Sequence, residues 1–411
     1  MLRKQFGAIA CGLLLVVSLV FAPMDRAIAL TEEQNLLLQA WRYVSQSYVD
    51  ETFNGQNWWL LRQKYLKKPL KTREQAYDVI SEMLGLLGDP YTRLLRPEQY
   101  RSLKVNTSGE LSGVGLQINV EPESGSLEVI VPLAGSPAEA AGIAPKDLIL
   151  AIDGVETNKI SLDEAAARMR GKKGTSVALT IHSAKTDEIK TVELIRDTIS
   201  LNPVYAKLDE HNGKKIGYVR LNQFSANAKD EIAKSLSELQ RAGADRYILD
   251  LRNNPGGLLQ AGIEIARLWL DQETIVYTVN RQGISESYSG TGNPVNDAPL
   301  IVLVNQATAS ASEILAGALQ DNARALLVGE KTFGKGLIQS LFELPDGSGM
   351  AVTVAKYETP LHHDINKLGI MPDEVVPQDP IPYRAMATDN DAQYQTALDL
   401  LANGRTFAHA S

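Results

Sequence analysis

One serine and one lysine in a single stretch carry the chemistry that this sequence offers. From Asn305 to Gln339 the chain reads NQATASASEILAGALQDNARALLVGEKTFGKGLIQ. Just before it, Pro299 to Val304 (PLIVLV) is a short continuous apolar run, the pattern of a buried parallel strand. TASAS then gives way to EILAGAL, where apolar residues recur at helical spacing behind a serine able to cap the first turn. A helix is therefore expected to begin near Ser310. At such a junction the first backbone N–H groups lack partners and the helix dipole favours developing negative charge, which suits an oxyanion.

A serine hydroxyl is a weak nucleophile until a base takes its proton. None of the five histidines, His182, His211, His362, His363 and His409, lies in this stretch. The other route is a lysine kept neutral by desolvation. Lys335, flanked by Gly334 and Gly336 after the strand-like ALLVG run, suits that role. Two plainer readings compete: a lone serine at a helix start is ordinarily a cap, and a lone lysine after a strand is ordinarily a solvated charge. Gly329 to Lys335 (GEKTFGK) also matches the G-x-x-x-x-G-K skeleton of a phosphate-binding loop. Gly336 stands where that loop needs a Ser or Thr for magnesium, so no nucleotide, metal or other cofactor is expected. Asp321 follows Ser310 by 11 residues. On a continuous helix that offset is roughly 16 Å, too far to touch the hydroxyl, so a structural or indirect role is expected.

SASEILAGALQD followed by GEKTFGKGLIQ resembles the carboxyl-terminal processing peptidases, serine proteases with a Ser/Lys dyad. In that family the nucleophile precedes the lysine by about 25 residues. Ser310 and Lys335 are 25 positions apart and Ser312 and Lys335 only 23, so the resemblance implies Ser310 as nucleophile and Lys335 as general base. It implies further that Gln339, four residues on, orients the lysine amine. Along an extended strand four residues span roughly 13 Å, so that contact requires a bend near GKG. DLRNNPGG is the family's other signature. On their own, Gly256 and Gly257 indicate only a tight turn that exposes N–H groups at a helix start. The resemblance implies that the Gly256 N–H, with that of Ala311, stabilises the tetrahedral oxyanion.

The 411 residues, 44% hydrophobic and 22% charged, are enough for two or three globular domains. Arg3 and Lys4 precede an apolar run from Phe6 to Ala22, and Ala27-Ile28-Ala29 forms an A-x-A cleavage signal. Residues 1–29 therefore read as a secretory leader, with the retained membrane anchor as the alternative. The only cysteine, Cys11, falls inside it, which leaves no disulfide framework, thiol nucleophile or thiolate metal site in the mature chain. The leader carries a net +2, so the formal charge of −8 becomes −10 on its removal. Such an acidic chain is not expected to bind nucleic acid.

The fold class expected is mixed α/β: an N-terminal helical domain (30–104), an inserted PDZ domain (105–199) and a parallel-sheet α/β catalytic core (200–411). Thr31 with Gln34, and Thr72 with Gln75, form capping boxes ahead of two helices. Trp41, Trp58 and Trp59 read as packing. WRYVSQSYVDETFNGQNWW and GDPYTRLLRPEQY narrow the resemblance to the cyanobacterial and chloroplast branch, which trims the precursor of a photosystem II reaction-centre subunit. GELSGVGLQINV, SPAEAAGI and LILAIDG look like a PDZ domain, which holds a peptide's C-terminus by strand addition. Gly113, Val114, Gly115 and Leu116 match its carboxylate-binding loop, while Arg170 senses a bound peptide, pairs with a carboxylate elsewhere or is simply solvated.

Beyond the PDZ segment, strands alternate with helices as in a parallel sheet covered on both faces. Pro345-Asp346-Gly347 reads as a hairpin turn. His362, His363 and Asp364 invite a metal or Ser/His/Asp reading, but consecutive residues on one strand point to opposite faces. Residues 391–404 have a helical pattern expected to pack on the surface. Together these features imply an exported serine endopeptidase, in the thylakoid lumen or periplasm with or without membrane association, acting on a protein with a free C-terminus. The expected substrate is the photosystem II precursor; a general periplasmic processing and quality-control protease and a non-catalytic PDZ adaptor are the alternatives.

Overall fold

The computed structural model describes residues 30–122 and 124–404; the expected leader, with Cys11, lies outside them. The Thr31 hydroxyl accepts the Gln34 amide and Gln34 returns the bond, which starts helix α1 (Glu32–Ser47). Helices α2 (Trp58–Leu66) and α3 (Arg73–Gly85) follow. Thr72 caps α3, but the Gln75 side chain turns to the Lys71 amide, so this second box is only half made. Leu36, Leu37, Ala40 and Val44 recur on one face of α1 and meet Tyr77, Ile80, Met83 and Leu84 of α3. Trp58 is buried and Trp41 packs beside it, whereas Trp59 is 52% exposed.

Strand β1 (Arg93–Leu95) and helix α4 (Pro97–Ser108) lead to a neck in which β2 (Glu110–Gly113) pairs antiparallel with β9 (Asp197–Ser200). Between the two halves of the neck lie β3 (Leu116–Val120), β4 (Leu127–Pro132), β5 (Leu148–Ile152), β6 (Val155–Glu156), α5 (Leu162–Met169), β7 (Ser176–His182) and β8 (Ile189–Ile195). Their strands form an antiparallel sheet of order β3-β4-β5-β7-β8, with β6 on β5. It encloses its own core of Val129, Ile149, Ile152, Leu179 and Ile181.

The rest builds two sheets. Strands β10 (Val204–His211) and β11 (Lys214–Leu221), helix α6 (Ala228–Arg241), β12 (Arg246–Asp250) and α7 (Leu259–Ala266) come first. Hairpin β13 (Thr274–Asn280) and β14 (Gly283–Ser289) precedes β15 (Leu300–Val304), α8 (Ala311–Asp321) and β16 (Leu326–Gly329). Hairpin β17 (Leu337–Glu343) and β18 (Gly349–Glu358), β19 (Glu374–Val375) and α9 (Ala392–Ala402) complete the chain. The main sheet has the order β10-β11-β12-β15-β16-β19 and is parallel from β11 onward. All five residues of β15 are buried, as its unbroken apolar run requires. The second sheet runs β1-β18-β13-β14, with β17 also on β18.

Two expectations change. The tail helix α9 is no surface addition: Tyr394, Ala397, Leu398 and Leu401 cover the sheet face made by Tyr218, Ile248, Ile301 and Leu303. A parallel sheet must be covered on both faces, and α6, α7 and α8 cover only one. The N-terminal helices, too, do not pack as a separate body, because Leu344, Met350 and Val352 of the β17–β18 hairpin belong to their core.

A buried ion cluster ties α9 to the end of β12. Arg252, 4% exposed, donates two hydrogen bonds of 2.7 Å to Asp391, the cap of α9, and a third of 2.7 Å to Asp250. The Tyr218 hydroxyl donates to the same Asp250 at 2.7 Å. Removing one partner of such a cluster strands a buried charge, a cost of roughly 3–5 kcal/mol. Asp391→Ala is accordingly expected to lower the thermal unfolding midpoint sharply, read by circular dichroism; an unchanged midpoint would deny α9 this anchoring role.

Candidate active site

Ser310 stands where the chain passes from β15 to α8, and the loop before it is fastened to the end of β12. Asn305 Oδ1 accepts the Asn253 amide at 3.0 Å, the Thr308 hydroxyl donates to Leu251 O at 2.9 Å, and the Ala309 amide donates to Asn254 O at 3.0 Å. The buried Ser312 hydroxyl also donates to Asn254 O, at 3.0 Å, and is thereby committed to structure. Ser310 is only partly buried and adopts φ 60°, ψ −120°. A non-glycine residue held at positive φ stores strain that the surroundings must impose, a habit of catalytic turns.

The imposing group is Glu313, whose side chain is 0% exposed by residue. Its Oε2 accepts the Ser310 amide and the Lys335 amide, each at 2.9 Å. Its Oε1 accepts the Thr332 hydroxyl at 2.6 Å and the Gly334 amide at 2.7 Å. A second bridge is Tyr357, whose hydroxyl lies 3.1 Å from Ser310 O and 2.8 Å from Lys335 O. Burial, with Glu313 and Asp364 nearby, raises the Tyr357 phenol well above its usual range, so it remains a donor. Ser310 and Lys335 are thus brought together through their backbones; among the described residues their side chains share no hydrogen bond. Loose geometry of this kind is common before substrate binds.

The Lys335 amine is partly buried, and this burial lowers its proton affinity from the ordinary lysine value. The positive charge of Arg93 lowers it further, while Asp89 and Glu313 oppose the shift. Among the described residues the Gln339 side chain makes no hydrogen bond to the amine. A bulge between Ile338 and Gln339 directs it to Thr353, where Nε2 donates to the hydroxyl at 3.4 Å. The phosphate-loop pattern over GEKTFGK also has its explanation, since the Gly334 and Lys335 amides that would cradle a phosphate point at Glu313.

Gly256 packs directly against the serine. At its φ of 96°, a Cβ would come 2.7 Å from Ala309 O and 2.9 Å from both Ala311 N and Ser310 Cβ. Its amide donates to Asn254 Oδ1 at 2.9 Å, an internal bond that an incoming oxyanion would have to replace. Ala311, the first residue of α8, has an amide with no carbonyl of its own helix to bond. Asp321 accepts the Leu361 amide at 3.0 Å and lies 3.9 Å from His363, so it organises the turn after β18. His362 and His363 occupy that turn rather than a strand: His362 bonds Glu358 at 2.8 Å and stacks on Tyr277.

In the antiparallel unit, Gly113, Val114, Gly115, Leu116 and Arg170 line one groove with Met169. Gly113 and Arg170 form an isolated antiparallel bridge at its end. Residues 102–182 match the PDZ domain model, and residues 215–376 match that of Peptidase family S41. Over 411 residues the chain is 77% identical to the carboxyl-terminal-processing protease of Picosynechococcus sp., covering 100% of this chain and 99% of that protein. The chain belongs to peptidase family S41.

A chloroplastic carboxyl-terminal-processing peptidase 2 of Arabidopsis thaliana is 44% identical to this peptidase, over 88% of this chain and 72% of the relative. A solved photosystem II D1 C-terminal processing protease superposes with a TM-score of 0.56 at 41% identity, covering 89% of this chain and all of that one. The mixed helix-and-sheet fold with a PDZ domain is therefore that of a C-terminal processing protease of cyanobacterial and chloroplast type.

Sequence reading missed Glu313 and Tyr357. Glu313 did leave a signal, because Ser310-Ala-Ser-Glu313 has the S-x-x-E form of a capping box. Tyr357 left none, being distant in sequence from both residues that it bridges. The lack of space at Gly256 makes a test: Gly256→Ala forces the Ser310 turn to shift and is expected to lose at least about 10²-fold in kcat, the scale of one oxyanion donor. Peptidase assays with a circular-dichroism control check this; wild-type turnover would mean that the close packing on Ser310 is unimportant.

Proposed function

We propose that this peptidase removes the C-terminal extension of the photosystem II reaction-centre subunit precursor, holding the tail in its PDZ groove and cutting upstream. The observation that carries the mechanism is the pairing of the Ser310 and Lys335 backbones on one buried carboxylate, with the lysine amine partly desolvated. The neutral Lys335 amine takes the proton of the Ser310 hydroxyl as Oγ attacks the scissile carbonyl carbon. The carbonyl oxygen becomes an oxyanion at the start of α8, where the Ala311 amide receives it together with the Gly256 amide released from Asn254. The Lys335 ammonium then protonates the departing amine, leaving an ester on Ser310. Water, deprotonated by the same amine, hydrolyses the ester. Gln339 rests on Thr353, which in turn bonds Asp89.

The name of the D1-processing neighbour and the plastid and cyanobacterial relatives support the substrate assignment and an exported location in the lumen or periplasm. The apolar-rimmed groove bearing Gly113 to Leu116 and Arg170 supports capture of a free C-terminus. No helix among the described residues is long and apolar enough to cross a membrane.

A synthetic peptide with the precursor's C-terminal sequence, and its C-terminally amidated form, make the test, with products read by mass spectrometry. Wild type is expected to cut the free-acid peptide, Ser310→Ala and Lys335→Ala to lose at least about 10⁴-fold, and amidation to raise KM. Cleavage by Ser310→Ala would sink the nucleophile assignment. Equal cleavage of unrelated peptides would favour a general processing protease, and no cleavage by wild type the adaptor.

The pH profile gives a second test. Because burial and Arg93 lower the proton affinity of Lys335, kcat/KM is expected to rise with pH along a limb centred below the roughly 10.4 of free lysine. A flat profile with chemistry rate-limiting would count against a lysine base.

A further inference from the structure

The groups around the Lys335 amine do not all come from the sheets that carry the Ser/Lys pair. The turn from Gly88 to Arg93 leaves α3 and enters β1, which pairs with β18 in the register Arg93↔Ala351 to Leu95↔Gly349. Asp89 organises this turn: Oδ1 accepts the Tyr91 amide at 2.9 Å and Oδ2 accepts the Thr92 hydroxyl at 2.7 Å. The same Oδ2 accepts the Thr353 hydroxyl of β18 at 2.7 Å, and the Thr353 amide donates to the Thr92 hydroxyl at 3.0 Å. Thr353 is also the residue on which Gln339 rests, at 3.4 Å. The turn is thus latched to β18 beside the catalytic lysine. Held there, the Tyr91 ring lies with its centroid 4.9 Å from Lys335 Nζ.

We propose that the Gly88–Arg93 turn of the helical N-terminal unit completes the active site: Tyr91 is a positioning residue that seats the Lys335 amine, and Asp89 latches Tyr91 in place through Thr353. This rests on the reading of Lys335 as the base. An ammonium or amine at the end of a four-carbon stem has many rotamers, and a ring fixed on one side removes most of them. The ring also has two electrostatic effects of opposite sign. Its π-face favours the ammonium, whereas its bulk keeps water away and disfavours it. Burial is the largest influence on Lys335, and we take the ring to act chiefly through it. The charges that bear on the amine are Arg93 and Asp89 from the turn and Glu313 from α8. The helical unit is on this view part of the catalytic device and not only a support.

The test is kcat and KM against pH for Tyr91→Ala, Tyr91→Phe, Thr353→Val and Thr353→Ser, beside wild type and Lys335→Ala, using the free-acid peptide. Tyr91→Ala is expected to lower kcat by about 10²-fold, the scale of a misplaced catalytic group, with KM unchanged. It should also move the limb of the pH profile upward, toward ordinary lysine, as water reaches the amine. Tyr91→Phe keeps the ring and should restore both the limb and most of kcat. Thr353→Val should follow Tyr91→Ala, and Thr353→Ser should reverse it. Wild-type kcat with an unmoved limb in Tyr91→Ala would overturn the proposal. So would a pH-independent loss matched by a smaller folded fraction in circular dichroism, the mark of a purely structural turn. An active Lys335→Ala would instead overturn the base assignment itself, whereas a dead Lys335→Ala beside a wild-type-like Tyr91→Ala would overturn the turn's role alone.

Discussion

Everything in the site depends on one carboxylate buried away from water. An unpaired charge in that position would cost several kcal/mol, so Glu313 holds its place only while all its oxygen positions are met. Four donors meet them, and three are backbone amides, of Ser310, Gly334 and Lys335. Backbone donors cannot turn away as side chains can. Satisfying Glu313 therefore fixes the glycine-rich segment before β17 against the first turn of α8 and keeps Ser310 at its positive φ. The price of burying the charge becomes rigidity where Ser310 and Lys335, from separate loops, are held together.

The loop on the other side of Ser310 needs its own anchor, and the DLRNNPGG segment supplies it. Asp250 and Arg252 face the sheet side covered by α9, where the ion cluster with Asp391 pins the end of β12. Asn254 faces the opposite way: its Nδ2 donates to Leu221 O at 2.7 Å and its Oδ1 receives Gly256. One short segment thus places Gly256 against Ser310 by bonds in two directions. The same segment lies near the PDZ neck. Phe224 and Gly256 share a backbone bond, and the Asn227 side chain, three residues on, donates to Leu201 O and to the Ser200 hydroxyl beside β9. The PDZ unit and the serine are therefore linked by packed and hydrogen-bonded chain and not by a loose tether.

How much of this was legible in the sequence follows from how local each feature is. β15, α8 and the serine between them were readable because an apolar run, a capping residue and helical spacing are all local signals. The PDZ unit was readable through the resemblance carried by GELSGVGLQINV, SPAEAAGI and LILAIDG. Glu313 was half readable, since its capping-box spacing was visible but the partners at 332–335 were not. Tyr357 left no local trace, and Asp89 and Tyr91 were visible only as part of the GDPYT turn, because their contacts with Thr353 and Lys335 arise only in the folded chain. The misplacement of Gln339 has the same origin, because a bulge cannot be seen in LIQSLFE and it decides which neighbour the side chain meets. α9 was underestimated because its helical pattern shows amphipathicity but not that a second sheet face stands uncovered.

The burial of Lys335 sets function against stability, and the sign can be worked out. Its proton affinity is lower in the folded chain than in the unfolded one, so between the two pKa values the unfolded state binds more protons. Below the folded value, folding must bury an ammonium, and the penalty is relieved only as pH rises through that window. A pocket that lowers the proton affinity of this amine is therefore least stable where the amine is charged. Asp89 and Glu313 moderate this conflict, because their negative charge pulls the proton affinity back up while their hydrogen bonds hold the surrounding backbone. Removing those charges would favour the free base and loosen the frame that aims it, so the two demands fix a compromise in which the carboxylates stay and the amine is only partly buried.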